Sequence, residues 1–303
     1  MDWQIAKDTL KRAVNLVGRV IPNRHSLNPI LTYAGLELGP KTALFGSSGE
    51  VDLIVRFPTN GGESAQPILV PVRTLAELVA NLPGDEVTLT LDSHLHIQSG
   101  RFAAQLGFAS ADGFPELSFP PLSPEEEAPA FHHRTRLGRK ALEEALSHVR
   151  YAVAKEDYRT IFRGIQLEFS PGGIRAVASD GYRLALQDIS APQPVEEKAI
   201  LPAWIADEAL RVLRGFEAEE VTLALGQGLL GLAFTYREED GSEGEVRMTL
   251  RLMEEKFPDY HRVIPTAFAG EVSLPKKPLE EALKRLSVLA DRQNLRVDLK
   301  VAG

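Results

Sequence analysis

Three groups of side chains in this 303-residue chain have types and spacings that could do chemistry. His94-Leu95-His96 would set two imidazoles on one face of a strand, because strand side chains alternate, and such a pair can begin a metal site. A third ligand is not evident, and surface histidines on a strand account for the pair more simply. His132-His133 could serve acid-base work. Ser179-Asp180 joins a hydroxyl to a carboxylate, yet a serine nucleophile needs a base oriented by a further group, and the sequence offers none. With no cysteine there is no disulfide, thiolate nucleophile or sulfur-bound metal. No catalytic residue, metal or cofactor is expected.

The elements that must position Ser179 and Asp180 are legible. Ile165, Leu167 and Phe169 alternate with polar or small residues as a half-buried strand requires, Pro171-Gly172-Gly173 supplies a turn, and residues 174–178 return as a second strand. Ser179-Asp180-Gly181 then interrupts that strand with residues tolerant of positive φ, which predicts a bulge presenting Tyr182, Arg183 and Leu184 at a changed angle. The stretch has an echo: Gly35 matches Gly164, Leu36 matches Ile165, Ser48 matches Ser179 and Leu53 matches Leu184, at an offset of roughly 130 residues.

The rest of the chain repeats in the same order. Residues 5–20 predict an amphipathic helix with Ile5, Leu10, Ala13, Val14 and Val17 on one side and Lys7, Lys11 and Arg12 off that stripe. A short helix follows Val70-Pro71, and another follows Leu201-Pro202. Glu86-Val87-Thr88-Leu89 recurs as Glu220-Val221-Thr222-Leu223, and Phe114-Pro115-Glu116-Leu117 has its counterpart in Phe257-Pro258-Asp259-Tyr260. Leu142-Glu143-Glu144-Ala145-Leu146 recurs as Leu279-Glu280-Glu281-Ala282-Leu283 after Glu271-Val272-Ser273-Leu274, so a third copy begins with one strand and one helix, too little to bury a core. The expected division is a module at 1–120, a Pro- and Glu-rich linker at 121–129, a second module at 130–268 and the start of a third at 269–303; either the natural protein continues or this tail packs on something else. Each module is α+β, antiparallel sheet with two helices on one face.

Composition is globular, at 44% hydrophobic and 25% charged residues. No apolar run approaches the roughly 20 residues that span a bilayer, and the start lacks a secretion pattern, so no membrane partner and a cytoplasmic location are expected. A net charge of -8 argues against bulk attraction to nucleic acid, leaving only a local patch for such contact.

Residues 178–184, Ala-Ser-Asp-Gly-Tyr-Arg-Leu, resemble the Thr/Ser, Asp-Gly, aromatic, Arg-Leu motif of the bacterial sliding clamps, the DNA polymerase III beta subunits. Residues 256–265, Lys-Phe-Pro-Asp-Tyr-His-Arg-Val-Ile-Pro, are similar to that family's segment closing its second domain. Matches at Arg24-His25-Ser26-Leu27 to Leu31, Val70-Pro71-Val72-Arg73 and residues 154–164 extend the resemblance through both repeats into the third.

The resemblance implies a DNA clamp fold: a homodimeric ring, if domain three is complete, whose helices line a hole for double-stranded DNA. It implies no enzyme but a processivity factor that tethers DNA polymerase III subunits, the clamp loader and other proteins carrying clamp-binding motifs. A ring held topologically needs only weak, sequence-independent phosphate contacts, which suits the acidic charge. The family's peptide pocket carries over to Phe162, Ser179, Gly181, Tyr182, Arg183, Leu184, Pro258, Arg262 and Val263. There Gly181 would leave room for a backbone, Leu184, Pro258, Val263 and Phe162 would form an apolar floor, and Arg183 or Arg262 would anchor polar atoms. For DNA it points to Arg24, Arg73, Lys155, Glu156, Arg159 and Thr160. This chain departs from the family pattern at Glu156, at Thr160-Ile161 in place of a tyrosine pair, and at Ala203-Trp204 in place of a basic pair. A peptide-binding repeat scaffold without DNA, and a hydrolytic enzyme, are the alternatives.

Overall fold

The computed structural model describes residues 2–22, 28–123, 125–155, 160–290 and 297–300. They fall into two compact units, Met1–Pro258 and Asp259–Gly303. In the first unit the opening repeat runs β1 (Asp2–Ala6), α1 (Lys7–Val20), β2 (Ala34–Glu37), β3 (Lys41–Ser47), β4 (Val51–Pro58), β5 (Asn60–Gly61), β6 (Ile68–Val70), α2 (Val72–Ala80), β7 (Glu86–Leu91), β8 (Leu95–Ser99), β9 (Phe102–Leu106) and β10 (Ala109–Ser110). The second repeat runs β11 (Phe131–Gly138), α3 (Arg139–Arg150), β12 (Gly164–Ser170), β13 (Gly173–Ser179), β14 (Leu184–Ile189), β15 (Glu197–Pro202), α4 (Ala203–Gly215), β16 (Glu220–Gly226), β17 (Leu229–Arg237) and β18 (Glu243–Arg251).

Every strand pair in the sheets is antiparallel, and three sheets result, in the orders β5-β1-β7-β8-β9, β10-β6-β2-β3-β4-β18-β17-β16-β11 and β14-β13-β12-β15. The nine-stranded sheet is continuous across the repeats, because β4 of the first pairs with β18 of the second from Val51↔Leu250 to Arg56↔Glu245. The strands β9 and β14 stand at sheet edges.

Two expectations need correction at the repeat starts. Ile5 and Ala6, expected in the first helix, instead end a strand that spans Asp2–Ala6, and the second repeat also opens on a strand, β11. The two are equivalent: Ala6 lies opposite Glu86 as Gly138 lies opposite Glu220, so the repeated Glu-Val-Thr-Leu words pair with the repeated opening strands. Each strand runs directly into its helix without a side-chain cap. The first helical N–H groups are satisfied across the junction instead, Lys7 N by Asp85 O at 2.7 Å and Arg139 N by Glu219 O at 2.9 Å.

The helices bury apolar stripes at helical spacing. Leu10, Ala13, Val14 and Val17 of α1 face α2, β3 and β4; Leu142, Ala145, Leu146 and Val149 of α3 face α4, β13 and β14. The acidic proline segment does not behave as a bare linker. Pro120 and Pro121 are buried, Arg136 donates to Leu122 O at 3.0 Å, and Arg247 pairs with Glu126.

In the second unit, the segment Tyr260–Val263 is a 3-10 turn and α5 spans Lys276–Ser287. Residues 271–274 are not a strand: β1 and β11 owe their conformation to a paired neighbour, and this segment has none among the described residues.

Candidate functional site

The stretch read as a bulge is a reversal. Ser179 pairs with Leu184 across β13 and β14, so residues 180–183 form a four-residue hairpin loop. The loop is tied down by its own side chains. Ser179 Oγ accepts from Gly181 N at 3.0 Å and donates to Arg183 O at 2.8 Å. Asp180 Oδ1 accepts from Tyr182 N at 2.9 Å and Arg183 N at 3.0 Å, while its Oδ2 accepts from Arg183 Nε at 2.9 Å. Gly181 has φ +87°, the left-handed region where a side chain is strained. Burial would raise the Asp180 carboxyl, but the two backbone N–H groups and the guanidinium outweigh it and hold it below the usual carboxylate range.

The first repeat carries the same loop. Ser47 lies opposite Asp52, Ser47 Oγ accepts from Gly49 N at 2.9 Å, and Ser48 Oγ accepts from Glu50 N at 3.3 Å and Val51 N at 2.9 Å. The structural partner of Ser179 is therefore Ser47, not Ser48, and Ser48 takes the place of Asp180. Where the second copy has exposed Arg183, the first has Val51, buried beside β18. One copy of the loop lies where the repeats join; the other leads into the edge strand β14.

The register of β12, β13 and β14 brings the start of β12, the end of β13 and the start of β14 to one end of their sheet. Phe162, half-buried, closes a 3-10 turn (Thr160–Phe162) just before β12 and meets the Phe257 ring edge-on at 5.9 Å between centroids. Leu184, Phe257 and Pro258 are also half-buried, Ser179 is buried, and Tyr182 is 87% exposed. This unit thus holds Phe162, Ser179, Gly181, Tyr182, Arg183, Leu184 and Pro258. Arg262 and Val263 belong to the other unit, where Arg262 Nε donates to Asp259 Oδ2 at 2.9 Å and Val263 is 70% exposed. Sequence reading overlooked Phe257 and the Asp180 clasp. The signal was present: an Asp followed three residues later by Arg occurs at 180–183 and again at 259–262, with the same Nε to Oδ2 contact in each.

Of the residues considered for DNA, Arg73 is exposed in the first turn of α2, Lys155 is exposed, and exposed Thr160 opens its 3-10 turn. Arg24, Glu156 and Arg159 lie outside the described residues. The histidines have other employment. His96 Nε2 meets Asp92 Oδ1 at 2.9 Å, His132 meets Glu197 at 2.9 Å, and His133 meets Gln193 Oε1 at 3.0 Å. The His94 backbone N–H and then His96 pull Asp92 down to about 2. Among the described residues no three His, Cys, Asp or Glu gather where they could hold a metal, and no helix is long and apolar enough to cross a membrane.

Residues 1–118 match the N-terminal domain of the DNA polymerase III beta subunit, and residues 136–259 match its central domain. The beta sliding clamp of Pseudomonas putida is 30% identical over 310 residues, covering 100% of this chain and 78% of that one; the clamp of Synechococcus elongatus is 28% identical, covering 97% and 76%. Among solved structures, the DNA polymerase III subunit beta of Pseudomonas aeruginosa, bound to griselimycin, superposes with a TM-score of 0.79 at 26% identity, covering 97% of this chain and 76% of that one. With its repeated antiparallel α+β units, the chain belongs to the bacterial DNA polymerase III beta subunits, and its function is that of a DNA sliding clamp.

Proposed function

We propose that this clamp encircles duplex DNA without reading its sequence and docks short peptide motifs of polymerase subunits, the clamp loader and other DNA-processing proteins at the open end of the β12-β13-β14 sheet. The observation that carries the docking reading is the 180–183 loop, tied by its own Ser and Asp at the sheet end that also carries the half-buried Leu184 and, just before β12, the half-buried Phe162 with its partner Phe257. An ordered backbone with a small apolar floor accepts an extended peptide with little ordering cost. The family resemblance adds Arg262 and Val263 as peptide contacts, and Arg73, Lys155 and Thr160, with Arg24, Glu156 and Arg159, as DNA contacts. It also supports the division into modules at 1–120 and 130–268 joined by residues 121–129, with a third beginning at 269. Edge strands β9 and β14 offer the backbone edges through which such modules join head to tail, as β4 and β18 already do.

Two measurements test this. The natural full-length protein, loaded onto nicked circular DNA, is expected to stay on the circle and slide off once the circle is linearised; equal retention on both would overturn encirclement. Leu184→Ala is expected to weaken a polymerase-derived peptide about tenfold or more with the fold intact; unchanged affinity would overturn the docking site.

A further inference from the structure

Tyr151, the residue that ends α3, is 59% exposed. The Arg183 guanidinium lies over its ring, 5.6 Å from the centroid. His148, one turn earlier, meets Gln187 Oε1 of β14 at 3.0 Å and so seats the end of α3 against that strand. Arg183 is therefore held three ways. Its Nε is engaged by Asp180 Oδ2 at 2.9 Å, its flat face rests on Tyr151, and its charge sits by the C-terminal end of a helix, where the dipole favours a cation. Neither Nη1 nor Nη2 makes a hydrogen bond among the described residues, and the side chain remains 49% exposed.

We propose that Tyr151 is a positioning residue of the peptide site, which with Asp180 holds Arg183 so that its two terminal nitrogens meet a carboxylate side chain on the incoming peptide. This rests on the docking site proposed above and adds a preference to it. A guanidinium whose Nε edge is already occupied presents its Nη pair end-on, the geometry that takes a carboxylate through two parallel hydrogen bonds. A long arginine left free would lose rotamer freedom on binding; here the ring and Asp180 have already restricted it. The aromatic face carries the effect, so phenylalanine should replace tyrosine.

The test measures affinity of the full chain for two polymerase-derived peptides that differ only by Asp against Asn at one position. The position is chosen by scanning for the largest preference in the wild type. Tyr151→Ala is expected to weaken the Asp peptide about two- to fivefold and leave the Asn peptide unchanged, whereas Tyr151→Phe keeps the wild-type ratio. Combined with Arg183→Ala, the Tyr151→Ala change should add nothing further. Equal losses for both peptides, full additivity with Arg183→Ala, or a wild type with no preference at any position would overturn the proposal. Leu184→Ala separates the two readings: it should weaken both peptides, and if it weakens neither, the docking site itself fails whatever Tyr151 does.

Discussion

The guanidinium of Arg12 lies 4.8 Å from the centre of the Phe216 ring, which ties the first helix of one repeat to the end of the last helix of the next. The Tyr236 ring stands 5.3 Å from the same guanidinium and 4.3 Å from Phe216, and Glu238 pairs with Arg12. Burial, reinforced by Glu238, pushes the Tyr236 phenol up. A cation expected on the outer face of α1 is thus a rivet between repeats. Arg12→Ala removes the ion pair, both ring contacts and the packing of the side-chain stem, and should cost about 1–3 kcal/mol. Arg12→Lys should recover only part of this, since an ammonium has no flat face to lay against the two rings. Urea unfolding of the variants checks it; a midpoint unmoved by Arg12→Ala would show that the seam holds without the rivet.

Arg139 does the corresponding work inside the second repeat. It is 9% exposed, and it donates from Nη1 to Leu213 O at 2.7 Å and from Nε to Ala218 O at 3.0 Å, closing the C-terminal end of α4. Glu143 balances its charge at 3.0 Å. Arg139→Met keeps the stem but strands two carbonyls and leaves Glu143 to Arg214 alone, and should destabilise the unit by about 2–4 kcal/mol. Calorimetry should show the loss, and a change below about 0.5 kcal/mol would mean that water replaces the arginine there.

Acid should weaken the fold. Arg214 and Arg139 hold Glu143 low despite some burial, Arg175 does the same for Asp188, and Asp180 and Glu126 sit low although burial opposes it. A carboxyl with a depressed folded-state pKa adds stability that is complete above its unfolded value, near 4, and is lost as pH falls through the folded value. Asp52 works the other way, because burial raises it more than Ser47 and Arg251 lower it. Its penalty at neutral pH vanishes on acidification, but the lowered carboxyls, Asp92 among them, outnumber it. The urea midpoint should therefore hold from about pH 7 to pH 5 and fall below pH 4. A flat or rising midpoint in acid would contradict these assignments.

Much of this was legible in the residues themselves. The hairpins at 164–179 and the Pro-initiated helices α2 and α4 follow from alternation and local chemistry, which need no partner. The strands β1 and β11 escaped because their signal lies elsewhere: residues 2–6 run into a helical stripe, and β11 is a polar edge strand that pairs, among the described residues, with β16 alone. A bulge and a four-residue reversal use the same Ser-Asp-Gly chemistry, so only pairing distinguishes them. Arg12 was read onto the outer face of its helix because its partners, Glu238 and the Phe216 and Tyr236 rings, sit on other elements, and the Arg247 pair with Glu126 escaped for the same reason.

The acidic proline segment supplies the last case. Arg247 of β18, with a side chain 13% exposed, pairs with Glu126 of the segment and with Glu245 at 3.3 Å, and Glu245 in turn meets Arg56 of β4 at 2.8 Å. Thr249 Oγ1 donates to Ser118 O at 2.6 Å just upstream. Four charges thus staple the connection to the strands on both sides of the seam, and a segment of prolines and glutamates is held flat with little apolar surface of its own. Removing the central cation should release it: in Arg247→Ala, a glutamate-specific protease is expected to cut at Glu125 to Glu127 about tenfold faster than in the wild type, since local opening governs cleavage. Equal cutting rates, with the global unfolding midpoint matched between the two proteins, would show that the segment is held by its buried prolines and not by the charge network.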